Sequence, residues 1–286
     1  MKTIIVTGSS GLIGSALVKH LVRQGYFVRA FQRRIPMKKI TNVEYVCFDL
    51  AHVMDADLEG ADVIVHCAYQ TSVASEETVE GRNADIIAAE RLVQHAQAKN
   101  QRIIFLSSFS ACKDAKSYYG KNKYRVQNFF ESKGAVVLRL GIVVGGVIGL
   151  FGKLKSSIRK SPIIPLLDGG NQCLQVVALD DVCRIIERCV EDSMVGVFDI
   201  AHPHVMTLRQ LAQGIQCQLK VRRLYLSLPS WFAYYAVRVV EVLRIPLTFS
   251  SQNILGIYDL RTSTRIRVPE IFGIRLRSYS EMFEVI

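Results

Sequence analysis

No two cysteines of this 286-residue sequence stand in C-x-x-C spacing; Cys47, Cys67, Cys112, Cys173, Cys183, Cys189 and Cys217 are scattered. Several lie inside apolar stretches, which fits reduced, buried thiols better than a disulfide framework, and no metal site is expected. A membrane-spanning run is also missing. The longest uncharged apolar run, Leu140 to Phe151, has twelve residues and four glycines, whereas a spanning helix needs about 20. The N-terminal apolar run stops after Val6 at a glycine turn, so no secretory signal is read there and a cytoplasmic protein is expected. Acidic charge is scarce, with 25 Asp and Glu against 36 Lys and Arg, a net charge of +11. The basic residues are spread over several segments and do not alternate with aromatics on one helix, which argues against a nucleic-acid partner. Anionic small ligands, or peripheral contact with an anionic membrane surface, account for the balance as well. The remainder, 50% hydrophobic and 21% charged, is ordinary for an α/β protein with ample core.

What is present starts at residue 1. The β-branched run Ile4, Ile5, Val6 reads as a buried parallel strand, and Leu12, Ile13, Ala16, Leu17 and Leu21 repeat with a helical period. Between them, Gly8, Gly11 and Gly14 sit three apart across the turn, with Ser9 and Ser10 in the loop. Glycines in a strand–turn–helix permit a tight turn, let backbone approach a pyrophosphate, and let helix pack on strand. The helix start then offers unpaired N–H groups and a positive dipole end to phosphates. Dinucleotide binding is the expectation.

A second strand, Tyr26 to Phe31, ends in Gln32-Arg33-Arg34. In dinucleotide-binding folds an acid at this strand end holds the ribose 2′-hydroxyl, while arginine accommodates a 2′-phosphate. The acid is missing here and two guanidiniums follow, which predicts NADP, with NAD as the alternative. Val43 to Phe48 reads as a third strand, and Asp49 as either an adenine contact or the cap of a short helix centred on Asp57-Leu58. A fourth strand, Ala61 to Cys67, contains His66, read as a core histidine. A long helix is expected over residues 76–99 and a fifth strand over Gln101 to Leu106, followed by Ser107-Ser108-Phe109-Ser110.

In Tyr118-Tyr119-Gly120-Lys121-Asn122-Lys123, Tyr119 and Lys123 are four apart and would share one face of a helix running through Phe130. A phenol has an unperturbed pKa of about 10, and a neighbouring ammonium favours its ionised form, so such a pair can move a proton near neutral pH. Later strands are expected at Ala135 to Leu140, Leu174 to Leu179 and Val195 to Ile200. Helices are expected after Lys153, Asp180-Asp181 and Thr207. Leu228 to Ile245 reads as an aromatic-rich helix, either in the core or roofing an apolar pocket, with a membrane-surface helix as the alternative. Leu276 to Ile286 reads as a terminal helix.

The ordered set Thr7-Gly8-x-x-Gly11-x-x-Gly14, His66-x-Ala68, Asn83, Ser107-Ser108, Tyr119-x-x-x-Lys123, Leu138-Arg139, Gly145 and Val177-x-x-Asp180-Asp181-Val182 resembles the extended short-chain dehydrogenase/reductase family, specifically its NAD-dependent epimerase/dehydratase branch. The resemblance runs to about residue 215. It implies that Gly8, Ser9, Ser10, Gly11, Leu12, Ile13 and Gly14 cradle the pyrophosphate and that Asp49 and Leu50 flank the adenine. It places Cys67, Ala68 and Tyr69 beside the cofactor and gives Asn83 a supporting role from the long helix. By the same resemblance Tyr119 is the acid/base, Lys123 holds the nicotinamide ribose, and Ser108 binds the substrate oxygen, with Ser107 and Ser110 as alternatives. Nucleotide-sugar epimerases usually carry an arginine four residues before a histidine in the strand preceding the Asp-Asp helix; the matching positions here are Leu174 and Ala178, and Lys153, Lys155, Arg159 and Lys160 are the candidate substitutes for the arginine.

The expected fold is therefore a doubly wound parallel α/β sheet (1–145 and 174–202) with a smaller substrate lobe (146–173 and 203–286). The expected function is NADP-dependent hydride transfer to or from a carbonyl or carbinol carbon of a small molecule. Nucleotide-sugar epimerisation or dehydration, and a non-catalytic NADP-binding assembly protein, are the alternatives. A homodimer through the 76–99 and Tyr119 helices is a further expectation from the resemblance.

Overall fold

The structure is a computed structural model that describes residues 2–70, 83–243 and 250–284. In chain order it runs β1 (Thr3–Thr7), α1 (Leu12–Arg23), β2 (Phe27–Gln32), β3 (Val43–Cys47), α2 (Asp55–Leu58) and β4 (Val63–His66). Next come α3 (Ala84–Lys99), β5 (Arg102–Ser108), α4 (Tyr118–Ser132), β6 (Val136–Leu140), β7 (Ile142–Val144) and α5 (Gly149–Lys160). Then follow β8 (Ile163–Leu167), β9 (Cys173–Leu174), β10 (Val176–Ala178), α6 (Leu179–Glu191), β11 (Gly196–Ile200), β12 (Met206–Thr207) and α7 (Leu208–Gln218). The last stretch holds β13 (Leu224–Leu228), α8 (Ser230–Val242), α9 (Ser251–Tyr258), α10 (Val268–Phe272) and α11 (Tyr279–Glu284).

Seven strands form one sheet in the order β11-β6-β5-β4-β1-β2-β3, and β1 pairs parallel with both β2 and β4. This is the doubly wound order, and it reverses between β1 and β4. At the carboxyl ends of those two strands a crevice for a ligand is a property of the topology. Helices α1 and α6 pack together, joined by His20 Nε2 and Glu187 Oε2 at 2.6 Å.

The chain divides into two compact units: Met1–Ser107, Arg125–Arg139 and Leu179–Phe198, then Ser108–Tyr124, Leu140–Ala178 and Asp199–Ile286. The first has a core of sheet and helix residues in which Phe31, Ile64, Leu92, Phe105 and Phe130 are fully buried. The β-branched runs read as strands supply it, because strands covered on both faces need apolar side chains throughout. The second unit has its own core, including Phe151, Ile158, Ile164, Leu211 and Ile215.

Several boundaries differ from the sequence reading. The expected strand over Leu174–Leu179 is two short strands. β9 pairs antiparallel with β12, and β10 pairs parallel with β7. Buried Gln175 separates them: its Oε1 accepts from Ser263 N at 2.7 Å, while its Nε2 donates to the Pro203 and Ser263 carbonyls at 2.8 and 3.2 Å. A side chain that pairs with loop backbone on its own account breaks the ladder at this point. The long helix is described from Ala84, with Asn83 as its N-cap; residues 76–82 of that expectation lie outside the described residues. Residues 163–167, where the sequence pattern marked no strand, form β8, which pairs parallel with β13. The aromatic helix runs from Ser230 to Val242 with no buried residue, so it is not a core helix; residues 244–245 of that expectation lie outside the described residues.

Candidate functional site

In the first unit the turn after β1 is built by close approach. Gly8 has φ +66°, and a Cβ there would lie 2.7 Å from Ala68 Cα and N. At Gly14 a Cβ would stand 2.3 Å from the Gly8 carbonyl oxygen. Neither position tolerates a side chain without moving backbone, so the glycines set how closely α1 approaches the ends of β1 and β4. Gly11 is the N-cap of α1, and no side chain caps that helix. The cradle that a Cβ would fill, together with the uncapped helix start, fits a pyrophosphate on the backbone N–H groups of residues 12–14, since Gly11 N donates to the Gly8 carbonyl at 2.9 Å.

Around this turn lie the other strand ends. Thr7, which opens the glycine motif but was given no role of its own, is fully buried. Its Oγ1 accepts from Ala68 N at 3.2 Å and pairs with His66 Nδ1 at 2.8 Å. His66 is buried and stacks on Phe105, ring centroids 5.8 Å apart, as expected of a core histidine. The hydroxyl thereby ties the ends of β1 and β4, which carry Gly8 and Cys67-Ala68-Tyr69. Ala68 is buried, and Cys67 and Tyr69 are half-buried.

At the end of β2, Gln32 is buried. Its Oε1 accepts from Ser9 Oγ at 3.0 Å and its Nε2 donates to the Arg34 carbonyl at 2.9 Å. Arg33 and Arg34 are exposed. Ser10 is also exposed, and Leu12 and Ile13 are half-buried at the start of α1. After β3, exposed Asp49 accepts from Ala51 N at 2.9 Å and so closes its own turn. The short helix α2 is instead preceded by Met54. Leu50 packs on the core of this unit. Asn83 is buried and accepts from Ile86 N at 3.2 Å, capping α3. Next to it, buried Asp85 accepts from Gln70 N at 2.9 Å.

In the second unit, Tyr119 and Lys123 share a face of α4 one turn apart. Tyr119 is 38% exposed, whereas Lys123 is 5% exposed. A lysine is almost never buried without partners, so the burial of Lys123 one turn after Tyr119 is a built feature. The three candidate hydroxyls are unlike one another. Ser107 is buried and bonds Gln127 Oε1 at 2.6 Å, and Ser110 is buried. Ser108 is half-buried, and its Oγ accepts from Ser110 N at 3.2 Å. That leaves the Ser108 O–H able to donate.

The first turn of α4 is held from the far end of the chain. Asp259, fully buried after α9, accepts from Lys116 N at 2.7 Å, from Ser117 N at 2.8 Å and from Ser117 Oγ. Ser117 Oγ in turn accepts from Gly120 N at 3.0 Å, and Gln252 Oε1 accepts from Tyr118 N at 2.9 Å. A Cβ on Gly120 would stand 2.6 Å from the Ser110 carbonyl oxygen. The backbone carrying Tyr119 is thus fixed by a carboxylate and an amide that no local motif marks.

The doubly wound sheet, the glycine turn and the uncapped helix at its switch point define a Rossmann-like α/β fold. Residues 4–132 match the model of the NAD dependent epimerase/dehydratase family. An uncharacterized protein of Mycobacterium tuberculosis is 26% identical over 223 residues, covering 74% of this chain and 23% of that protein. The ceramide reductase of Caulobacter vibrioides is 25% identical over 198 residues, covering 65% of this chain and 60% of its own. The chain thus spans less than two thirds of the length of these curated relatives. Among solved structures, an NAD-dependent NDP-hexosamine 5,6-dehydratase of tunicamycin biosynthesis superposes with a TM-score of 0.75 at 14% identity, covering 100% of this chain and 96% of that one. That likeness is one of fold.

Proposed function

We infer that the protein is an NADP-dependent oxidoreductase of the extended short-chain type, acting on a carbonyl or carbinol carbon of a small molecule. The observation that carries this reading is the pairing of half-exposed Tyr119 with buried Lys123 on a backbone clamped by Asp259. Bound NADP supplies or takes up the hydride. Gly8, Ser9, Ser10, Gly11, Leu12, Ile13 and Gly14 hold its pyrophosphate, and Asp49 and Leu50 flank its adenine. Cys67, Ala68 and Tyr69 lie along it, and Asn83 fixes the start of α3 behind them. The Tyr119 phenol gives its proton to the substrate oxygen during reduction and takes it back during oxidation. The Lys123 ammonium favours the phenolate and holds the nicotinamide ribose. The Ser108 hydroxyl donates to the same substrate oxygen.

The cofactor preference rests on β2. The amide of Gln32 is occupied at both ends and offers no carboxylate to a ribose 2′-hydroxyl. Arg33 and Arg34 are exposed, with no ion pair among the described residues, and a guanidinium suits a 2′-phosphate. Leu174 is 1% exposed and Ala178 is buried in the second unit's core, which favours a substrate without a nucleoside diphosphate. A homodimer through α3 and α4 belongs to the same reading. The test is NADPH consumption against ketones, an oxo-ceramide and nucleotide sugars, with dissociation constants for NADPH and NADH. Tighter binding of NADPH and net oxidation of it are expected. Interconversion of nucleotide sugars without net consumption would replace reduction by epimerisation, and NADH binding as tight as NADPH would sink the cofactor assignment.

A further inference from the structure

Helix α8 is apolar on both its packed and its exposed sides, with Arg238 exposed beside the outer stripe. A helix of a globular core normally turns its apolar stripe inward and its charges outward. Here Trp231, Phe232, Tyr235, Val239, Val242 and Leu243 form one outward stripe, with Trp231 66% and Val242 75% exposed. The inner side, with Ala233, Tyr234, Val237 and Val240 half-buried, packs on α9. Polar contacts pin that orientation at both ends. Ser230 N donates to Asp168 Oδ1 at 2.9 Å, and Glu241 accepts from Ser251 N and Oγ at 2.7 and 2.8 Å. The one acid of the helix is therefore spent inward while the aromatics face out.

The chain entering α8 continues the pattern. The β8/β13 ribbon pairs Ile163 with Leu224 and Pro165 with Leu226, and all four are exposed. The start of the ribbon is basic: exposed Arg159, Lys160 and Arg222 stand there, with Arg223 donating to the Ile158 and Arg159 carbonyls at 2.6 and 3.1 Å. Residues 149–167 and 200–240 contain no Asp or Glu at all, yet they include Lys153, Lys155, Arg159, Lys160, Arg209, Lys220, Arg222, Arg223 and Arg238. An outward aromatic stripe next to acid-free, basic segments is complementary to a bilayer surface that offers apolar depth beneath anionic headgroups.

We propose that the protein docks on anionic membrane surfaces, with α8 lying in the interface plane and the basic end of the β8/β13 ribbon engaging lipid phosphates. The proposal rests on α8 and the ribbon and does not depend on the role of Tyr119. Trp231 is the chain's single tryptophan, so its emission reports the docking face directly. The experiment adds vesicles of phosphatidylglycerol and phosphatidylcholine in equal parts, or of phosphatidylcholine alone, to the full chain, and follows Trp231 emission and co-sedimentation. A blue shift and sedimentation with the anionic vesicles, reversed by raised salt, are expected. Val239→Asp should weaken binding about tenfold, and Arg222→Glu by about fivefold or more, both with an unchanged far-ultraviolet circular dichroism spectrum. No shift with anionic vesicles, equal binding to both compositions, or unaltered binding by Val239→Asp would overturn the proposal. A concentration-dependent blue shift without lipid, accompanied by a dimer in sedimentation, would assign the face to a second copy instead.

Discussion

Replacing Asp259 by Asn tests whether the C-terminal segment controls the geometry of Tyr119. The carboxylate is fully buried and accepts three hydrogen bonds, from Lys116 N, Ser117 N and Ser117 Oγ. Asn keeps the shape but turns one accepting oxygen into an NH2 group, which cannot accept from the donors that face Oδ2 there. A hydrogen bond to a charged group is worth about 1.5–3 kcal/mol, and an unpaired buried N–H costs about 1–3 kcal/mol. The expected loss is about 2–4 kcal/mol, within the range a domain of ordinary stability survives. Because Ser117 also holds Gly120 N, the first turn of α4 loosens and Tyr119 loses its fixed position. A misplacement of about 1 Å can cost on the order of a hundredfold in rate. The assays are urea unfolding and steady-state NADPH oxidation. The midpoint should fall and kcat should drop by about 10- to 100-fold, while the NADPH dissociation constant stays within about twofold, as the glycine turn is untouched. Wild-type kcat with a lowered midpoint would refute the positioning argument. An unchanged midpoint would refute the hydrogen-bond accounting as well.

Other perturbations reach separate parts of the account. Gly14→Ala, whose Cβ would meet the Gly8 carbonyl oxygen at 2.3 Å, should cost about 1–3 kcal/mol and abolish measurable NADPH binding by calorimetry. Hydrogen bonds from Ser251 N and Oγ hold the Glu241 carboxyl below its usual value of 4.5. Its contribution is thus complete above the unfolded pKa and lost as pH falls through the folded one. The stability difference between the wild type and Glu241→Gln, from urea titrations at pH 7 down to pH 3, should shrink below about pH 4.3. Burial pushes the Cys183 and Cys189 thiols up to about 12, whereas Cys47, Cys173 and Cys217 are exposed. Ellman's reagent at pH 8 should therefore label the exposed three quickly and Cys183 and Cys189 only after unfolding.

The sheet-bearing half of the molecule was legible because its signals are local. Strand runs such as Ile4–Val6 are apolar on both faces, and the three glycines stand at a spacing that only a tight turn explains. The acid missing after β2 was equally plain, although the burial of Gln32 between Ser9 and Arg34 was not. What escaped the reading depends on residues far apart in the chain. Asp259 meets Ser117 across 142 positions, with no periodicity or motif to link them. Gln175 splits a strand through contacts with Pro203 and Ser263, which a pattern of apolar residues cannot show. In β8, Pro165 disguised a strand, tolerated because it lies in a two-stranded ribbon. The aromatic helix shows a different limit: its periodicity was visible, but the direction of its apolar stripe is set by Asp168 and Ser251.

The central claim is that Tyr119 moves the proton in an NADP-dependent hydride transfer. Its most direct test compares wild type with Tyr119→Phe, measuring the rate of NADPH oxidation with the best substrate of the panel and the NADPH dissociation constant together. Removing the phenolic hydroxyl from an exposed ring should leave NADPH binding unchanged and lower kcat by about 100- to 10,000-fold. A Phe variant that turns over at the wild-type rate, or a wild type that binds NADPH tightly and oxidises none of it with any substrate, would contradict the account.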